Sequence, residues 1–158
     1  MMIGRFQTDA GTELPLSNFY EAEFTAPPFG RVTAPSLTWP SAEHYYQAAK
    51  CLLPTDVELI RHALSPALAK KMGRQVLHVP EWNEIRLLVM RKALWYKFQF
   101  GTSLGAYLTS TAPMYLREGN TWGDQFWGTD MNGVGQNWLG LLLMARRAEL
   151  LCVEDEAK

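Results

Sequence analysis

The sequence predicts an α+β fold: a mainly helical single domain, residues 1–158, with a small N-terminal β-sheet. Three observations lead there. From Ser41 onward, apolar residues return every three or four positions in six successive segments, the period of a helix with one buried face. Before Pro40 that period is absent, and short apolar stretches stand between proline and glycine turns. The 158 residues, 47% apolar and 20% charged, hold no repeat, low-complexity tract or linker that would divide two cores.

In chain order, residues 3–6, 20–25, 29–33 and 36–39 read as short strands of one small sheet, with Ala26-Pro27-Pro28-Phe29-Gly30 the clearest turn. Ser41, after Pro40, is an N-cap for a helix over about 42–52 that Pro54 stops. Tyr45, Ala48, Ala49 and Leu52 form its apolar face. Glu43, Gln47 and Lys50, at i, i+4 and i+7, put a carboxylate, an amide and an ammonium on another stripe. Thr55 and Glu58 have the spacing of a capping box for a second helix, and Ser65-Pro66 opens a third that Gly73 closes. Pro80 precedes the longest pattern, residues 81–98, where Trp82, Ile85, Leu88, Val89 and Trp95 make an apolar surface wide enough for the central helix of the core. A shorter helix follows over 103–109, residues 114–116 are extended, and a last helix capped at or near Asn137 ends near Leu151. Just ahead of it, Gly133-Val134-Gly135-Gln136-Asn137 is either a plain turn or a set of backbone N–H groups where a helix dipole would favour phosphate.

Several classes are excluded by the totals. A net charge of -1 gives no global attraction to nucleic acid or anionic membrane, so any nucleic-acid contact is local. No apolar run approaches the roughly 18 residues of a membrane helix, and the start of the chain lacks a signal-peptide core. Cys51 and Cys152 are far apart and make no metal spacing with any of the three histidines, which points to free thiols, a cytoplasmic setting and no metal site.

Residues 118–128, Glu118-Gly119-Asn120-Thr121-Trp122-Gly123-Asp124-Gln125-Phe126-Trp127-Gly128, follow neither helical nor strand period. They read as a shaped loop. Two carboxylates, two indoles, a phenyl ring and three glycines suit a pocket for a flat, heteroatom-rich ligand; equally, the tryptophans pack inward and Asp124 caps a turn.

This loop, together with Leu16-Ser17-Asn18-Phe19, Glu43-His44-Tyr45-Tyr46-Gln47-Ala48-Ala49-Lys50, Ala69-Lys70-Lys71-Met72-Gly73-Arg74, Trp82, Met90, Lys97-Phe98, Gly135-Gln136-Asn137-Trp138-Leu139-Gly140 and Leu143-Met144-Ala145-Arg146-Arg147, resembles the NADAR (YbiA-like) family in content and order. The likeness covers nearly everything from Ile3 to Leu150; residues 23–39 depart from it, being longer and richer in proline, which bears on the pocket rim and the substrate. The resemblance implies a YbiA-like fold and hydrolysis of an N-glycosidic bond, with no cofactor and no obligate protein partner. Members similar to this one act on phosphorylated ribosylamino-pyrimidine intermediates of riboflavin synthesis. Others remove ADP-ribose from guanine in nucleic acid. A third reading is a non-catalytic ADP-ribose or NAD sensor.

Breaking a C1–N bond passes through an oxocarbenium-like state, which calls for negative charge near C1 and a proton for the leaving nitrogen. Glu43 and Asp124, both in matching motifs, are the candidate carboxylates, with Glu118 third as a ligand contact or a loop-holding acceptor. Lys50 is either an amine nucleophile that forms a Schiff base with the opened ribose or a partner for phosphate or Glu43, and Lys97 is a weaker candidate. Trp82, Trp122 and Trp127 stack on the base or pack; Asn18 binds ribose or phosphate, and Asn137 orients a phosphate. His44 points about 100° away from Glu43 on the helix and either donates a proton or packs, while Arg74 contacts phosphate or finishes its helix.

Overall fold

A computed structural model describes residues 1–7, 10–30 and 34–157. It confirms the α+β class, with six helices and four short strands among the described residues. The chain divides into two compact units, one formed by Asn18–Lys97 and the other by Met1–Ser17 with Phe98–Lys158.

In the unit Asn18–Lys97, strand β2 (Phe24–Ala26) pairs antiparallel with β3 (Leu37–Trp39), so that Phe24 stands opposite Trp39. Of the strand expected over 29–33, Phe29 and Gly30 form a turn and 31–33 lie outside the described residues. Helix α1 (Ala42–Ala48) is buried along its whole length and packs on α2 (Pro54–Arg61), α3 (Pro66–Gly73) and α4 (Trp82–Lys97). The central position in this unit therefore falls to α1, not to the longer α4, which leaves Leu88 and Trp95 exposed. An aromatic cluster joins sheet to helices: Tyr45 meets the edge of Trp39 at 5.2 Å, and Phe24 stacks on Tyr96 at 6.3 Å. Such pairs add to the area that each ring removes from water.

Helix starts follow the sequence closely at α1 and α3, where Ser41 and Ser65 accept the N–H groups of His44 and Leu68. At α2 they do not. Pro54 takes the first helical position and no side chain caps the end, so the Thr55/Glu58 capping box is unused.

In the other unit, β1 (Met2–Ile3) pairs parallel with β4 (Tyr115–Leu116) instead of joining β2 and β3, so the N-terminal strands form two small sheets, not one. Helix α5 (Ser103–Ser110) packs on α6 (Trp138–Glu156), which also covers β4. A Cβ at position 140 would stand 2.2 Å from the Leu116 carbonyl oxygen, so only glycine lets α6 approach β4 this closely. Arg146 and Arg147 tie α6 down by donating to the carbonyls of Phe98, Thr111 and Met114. No helix among the described residues is long and apolar enough to cross a membrane.

Candidate functional site

The first turn of α1 is held by its own side chains. The ring Nε2 of His44 is 3.1 Å from the Ala63 carbonyl, which can only accept, so Nε2 carries the proton and Nδ1 accepts from the Ser41 hydroxyl at 2.8 Å. Burial lowers the His44 pKa, and the imidazole works as a neutral strut. The Asn18 carbonyl accepts the Glu43 N–H at 3.1 Å, bringing Asn18 to the start of the same helix.

Because α1 is buried all round, Glu43 is only 5% exposed. A lone carboxylate there would be costly, and its surroundings offset part of that cost. Gln47, one turn on, donates Nε2 to Oε1 of Glu43 at 2.6 Å, while Lys70, Lys50 and Arg74 supply positive potential. Burial outweighs them and raises the Glu43 pKa above the usual glutamate range. The Gln47 amide is itself wedged: its Oε1 is buried with no hydrogen-bond partner, and a Cβ at position 73 would come within 2.1 Å of it. Gly73 thus serves close approach as well as ending α3 where expected, with Arg74 capping the helix in right-handed conformation.

Lys50 lies two residues beyond the end of α1, in the turn that follows it, and not on the helix. The expected helix to about Leu52 ends at Ala48 because the following backbone pairs elsewhere. The Lys50 carbonyl accepts Val79 N–H at 2.8 Å, Cys51 bridges to His78, and Leu52 N–H reaches Leu77. The Lys50 Nζ is 5.2 Å from the Tyr46 ring centre and 5.4 Å from that of Trp82, and these two rings meet edge to face at 5.0 Å. Burial pulls the ammonium pKa down, opposed by Glu43 and assisted by Lys70 and Arg74. Raised carboxylate and lowered amine in one cluster are the pairing that proton-transfer sites use.

Asn18 is 8% exposed; its Nδ2 donates to the Met90 sulfur at 3.3 Å and its Oδ1 has no partner. Lys97, 3% exposed at the end of α4, lies over the Tyr20 ring at 5.7 Å. Asn18, Glu43, Lys50, Trp82 and Lys97 all belong to this unit, and the structure brings Glu43, Lys50 and Trp82 together. Sequence reasoning placed Gln47 on their stripe without a task and overlooked Lys70; the i, i+4 relation of Glu43 to Gln47 was the available signal.

The other five candidates lie in the second unit. Loop 118–128 closes on itself: Thr129 N–H reaches the Glu118 carbonyl, Asn120 N–H reaches Thr129, and the Asn120 amide clasps both backbone groups of Asp124. The Oδ1 of Asp124 accepts the N–H groups of Phe126 and Trp127 at 3.1 and 2.9 Å, capping the turn. Trp122 is 58% exposed, and Trp127 is half-buried against Phe126. Asn137 has φ 53° and is engaged throughout: Nδ2 donates to the Leu116 carbonyl and the Tyr115 hydroxyl, and Oδ1 accepts the Glu118 N–H. The N–H groups of Gln136, Asn137, Trp138 and Leu139 all donate to carbonyls of Gln125, Gly128, Phe126 and Trp127. The α6 start proposed for phosphate is therefore filled by the chain's own loop. Among the described residues no three His, Cys, Asp or Glu side chains converge as a metal ion would require.

A sequence profile of the NADAR domain matches residues 5–151. N-glycosidase YbiA of Escherichia coli (strain K12) is 44% identical over 115 residues, which are 72% of this chain and 71% of that protein. Riboflavin biosynthesis protein VVA0006 of Vibrio vulnificus is 36% identical over 137 residues, 85% of this chain and 35% of that longer protein. The NMR structure of E. coli YbiA superposes with a TM-score of 0.75 at 34% identity, covering 98% of this chain and 91% of that one.

Proposed function

This chain belongs to the NADAR family and is an N-glycosidase, and we propose that the bond it breaks is the C1–N link of a phosphorylated ribosylamino-pyrimidine. The name of the Vibrio relative, a riboflavin biosynthesis protein, supports that substrate class. The observation that carries the reading is Glu43: a buried carboxylate of raised pKa, hydrogen-bonded by Gln47 and set in the same cluster as an amine of lowered pKa under two aromatic rings. Glu43 handles the proton of the leaving nitrogen and, once ionised, stabilises positive charge at C1. Lys50 in its neutral form attacks C1, the C1–N bond breaks with its electron pair leaving on the base nitrogen, and ring opening gives a Schiff base that water hydrolyses to ribose phosphate and free lysine. Trp82 and Tyr46 provide flat walls beside Lys50, and the unpartnered Oδ1 of Asn18 accepts a ribose hydroxyl. Asp124 holds the loop 118–128 in shape. Both cysteines are free, which supports a cytoplasmic setting, and the chain works as one domain over 1–158.

The test offers the purified protein two substrates, a ribosylamino-pyrimidine phosphate and an oligonucleotide carrying ADP-ribose on guanine. Free pyrimidine measured by mass spectrometry from the first is expected. Release of ADP-ribose from the second alone would transfer the activity to nucleic-acid repair, and binding of ADP-ribose with neither cleavage would make Glu43 and Lys50 ligand-holding groups.

A further inference from the structure

The cations around Glu43 outnumber what one carboxylate balances. Lys50, Lys70 and Arg74 all act on it, and among the described residues no carboxylate lies within ion-pair distance of Lys70 or Arg74. Their placement follows from packing. Gly73 lets the last turn of α3 press onto Gln47, whose Nε2 is 2.6 Å from Glu43, so the C-terminal end of α3, which carries Lys70 and is capped by Arg74, packs beside the turn of α1 that holds this carboxylate. Lys70 Nζ lies 5.3 Å from the ring centre of Phe19, the neighbour of Asn18, whose carbonyl accepts the Glu43 N–H. The backbone at the start of α1 is thus tied through Asn18 and Phe19 to Lys70.

The other groups that the sequence offered for phosphate do not suit it. Asn18 presents an acceptor, which repels a phosphate oxygen; the Asn137 side chain and the N–H groups that open α6 are engaged. A phosphate needs donors and positive charge, and Lys70 with Arg74 supplies both. A plain alternative is that basic residues at the end of α3 only complement its dipole. Lys71, exposed on the same turn and absent from the groups acting on Glu43, would serve that purpose equally and separates the two ideas.

We propose that Lys70 and Arg74 form the phosphate subsite, so that the substrate enters as a ribose phosphate monoester with its anion on α3 and its C1 toward Glu43 and Lys50. This rests on the N-glycosidase reading above and adds how the substrate is recognised. The probes are ribose 5-phosphate and ribose, titrated calorimetrically at low and raised salt. The wild-type protein is expected to bind ribose 5-phosphate at least about tenfold more tightly than ribose, with a preference that weakens as salt rises. Lys70→Ala with Arg74→Ala should erase most of that preference, Lys70→Arg should keep it, and Lys71→Ala should match wild type; thermal unfolding of each variant verifies that it is folded. Equal wild-type affinity for the two probes, or a loss in Lys71→Ala as large as in the double variant, overturns the subsite. Neither probe has a base to release, so a failed subsite is distinguishable from a failed glycosidase.

Discussion

Gly73→Ala sets two effects of opposite sign against each other. Alanine is favoured over glycine within a helix by about 1 kcal/mol, and position 73, the last of α3, has no left-handed backbone to resist it. Against this, the new Cβ would stand 2.1 Å from Oε1, 2.9 Å from Cδ and 3.0 Å from Cβ of Gln47. Forcing an extra carbon into a packed position costs about 1–3 kcal/mol. The net is a loss of about 0–2 kcal/mol, or a Tm lower by roughly 2–4 °C per kcal/mol in a chain of this size. Activity is the sharper readout. The Gln47 amide escapes the clash only by turning away, which takes its Nε2 from Glu43. A hydrogen bond to a charged group is worth about 1.5–3 kcal/mol, equivalent to about 1–2 pKa units. That bond favours the ionised carboxylate, so its loss raises the Glu43 pKa further. The limb of the kcat/KM profile belonging to Glu43 should move to higher pH by about 1–2 units. A folded Gly73→Ala protein with an unmoved profile would refute the claim that Gly73 and Gln47 position Glu43.

Four further outcomes follow from the same geometry. Lys50→Met should lower single-turnover base release by at least about a hundredfold, and borohydride added during turnover should attach the phosphorylated ribose to Lys50 in the wild-type protein, seen by peptide mass spectrometry; no adduct, with release intact in the variant, would remove Lys50 from the chemistry. His44 has a folded pKa below its ordinary value of about 6.5, so as pH falls through that window the unfolded chain takes up the proton first and stability is lost. Comparing urea unfolding of wild type and His44→Gln across that window should show a pH slope that the variant lacks. Burial pushes the Cys51 thiol up to about 11, so iodoacetamide at neutral pH should label exposed Cys152 quickly and Cys51 only on unfolding. Asp124→Ala leaves the N–H groups of Phe126 and Trp127 without their acceptor, and should destabilise by about 1–3 kcal/mol in denaturant melts.

Where a structural feature depends on neighbours in the chain, the sequence displayed it. Ser41 and Ser65 start α1 and α3 because an N-cap needs only a side chain and an N–H three residues on. The spacing of Glu43, Gln47 and Lys50 brought a carboxylate, an amide and an amine to one place for the same reason, although Lys50 arrives there through a turn. What was hidden depends on distant partners. The end of α1 at Ala48 is set by residues 77–79, and the pairing of Met2–Ile3 with Tyr115–Leu116 crosses most of the chain. Gly73 ends α3 as its sequence position implies, but its second task, the approach to the Gln47 amide, was hidden because that amide lies on another helix. Loop 118–128 was recognisable as shaped, but only its contacts reveal that it fills the start of α6 and leaves no phosphate site there. The family likeness read from motif order stands with the NADAR match over residues 5–151.

The most direct test of the central claim is the single-turnover rate of pyrimidine release from a ribosylamino-pyrimidine phosphate by wild-type protein and by Glu43→Gln, which keeps the shape of the side chain and removes its charge. The expected result is release by the wild type and a rate in the variant lower by roughly a hundredfold or more, with the variant still folded. Equal rates in the two proteins would contradict the assignment of Glu43 as the proton-handling carboxylate, and no release by either would contradict the substrate.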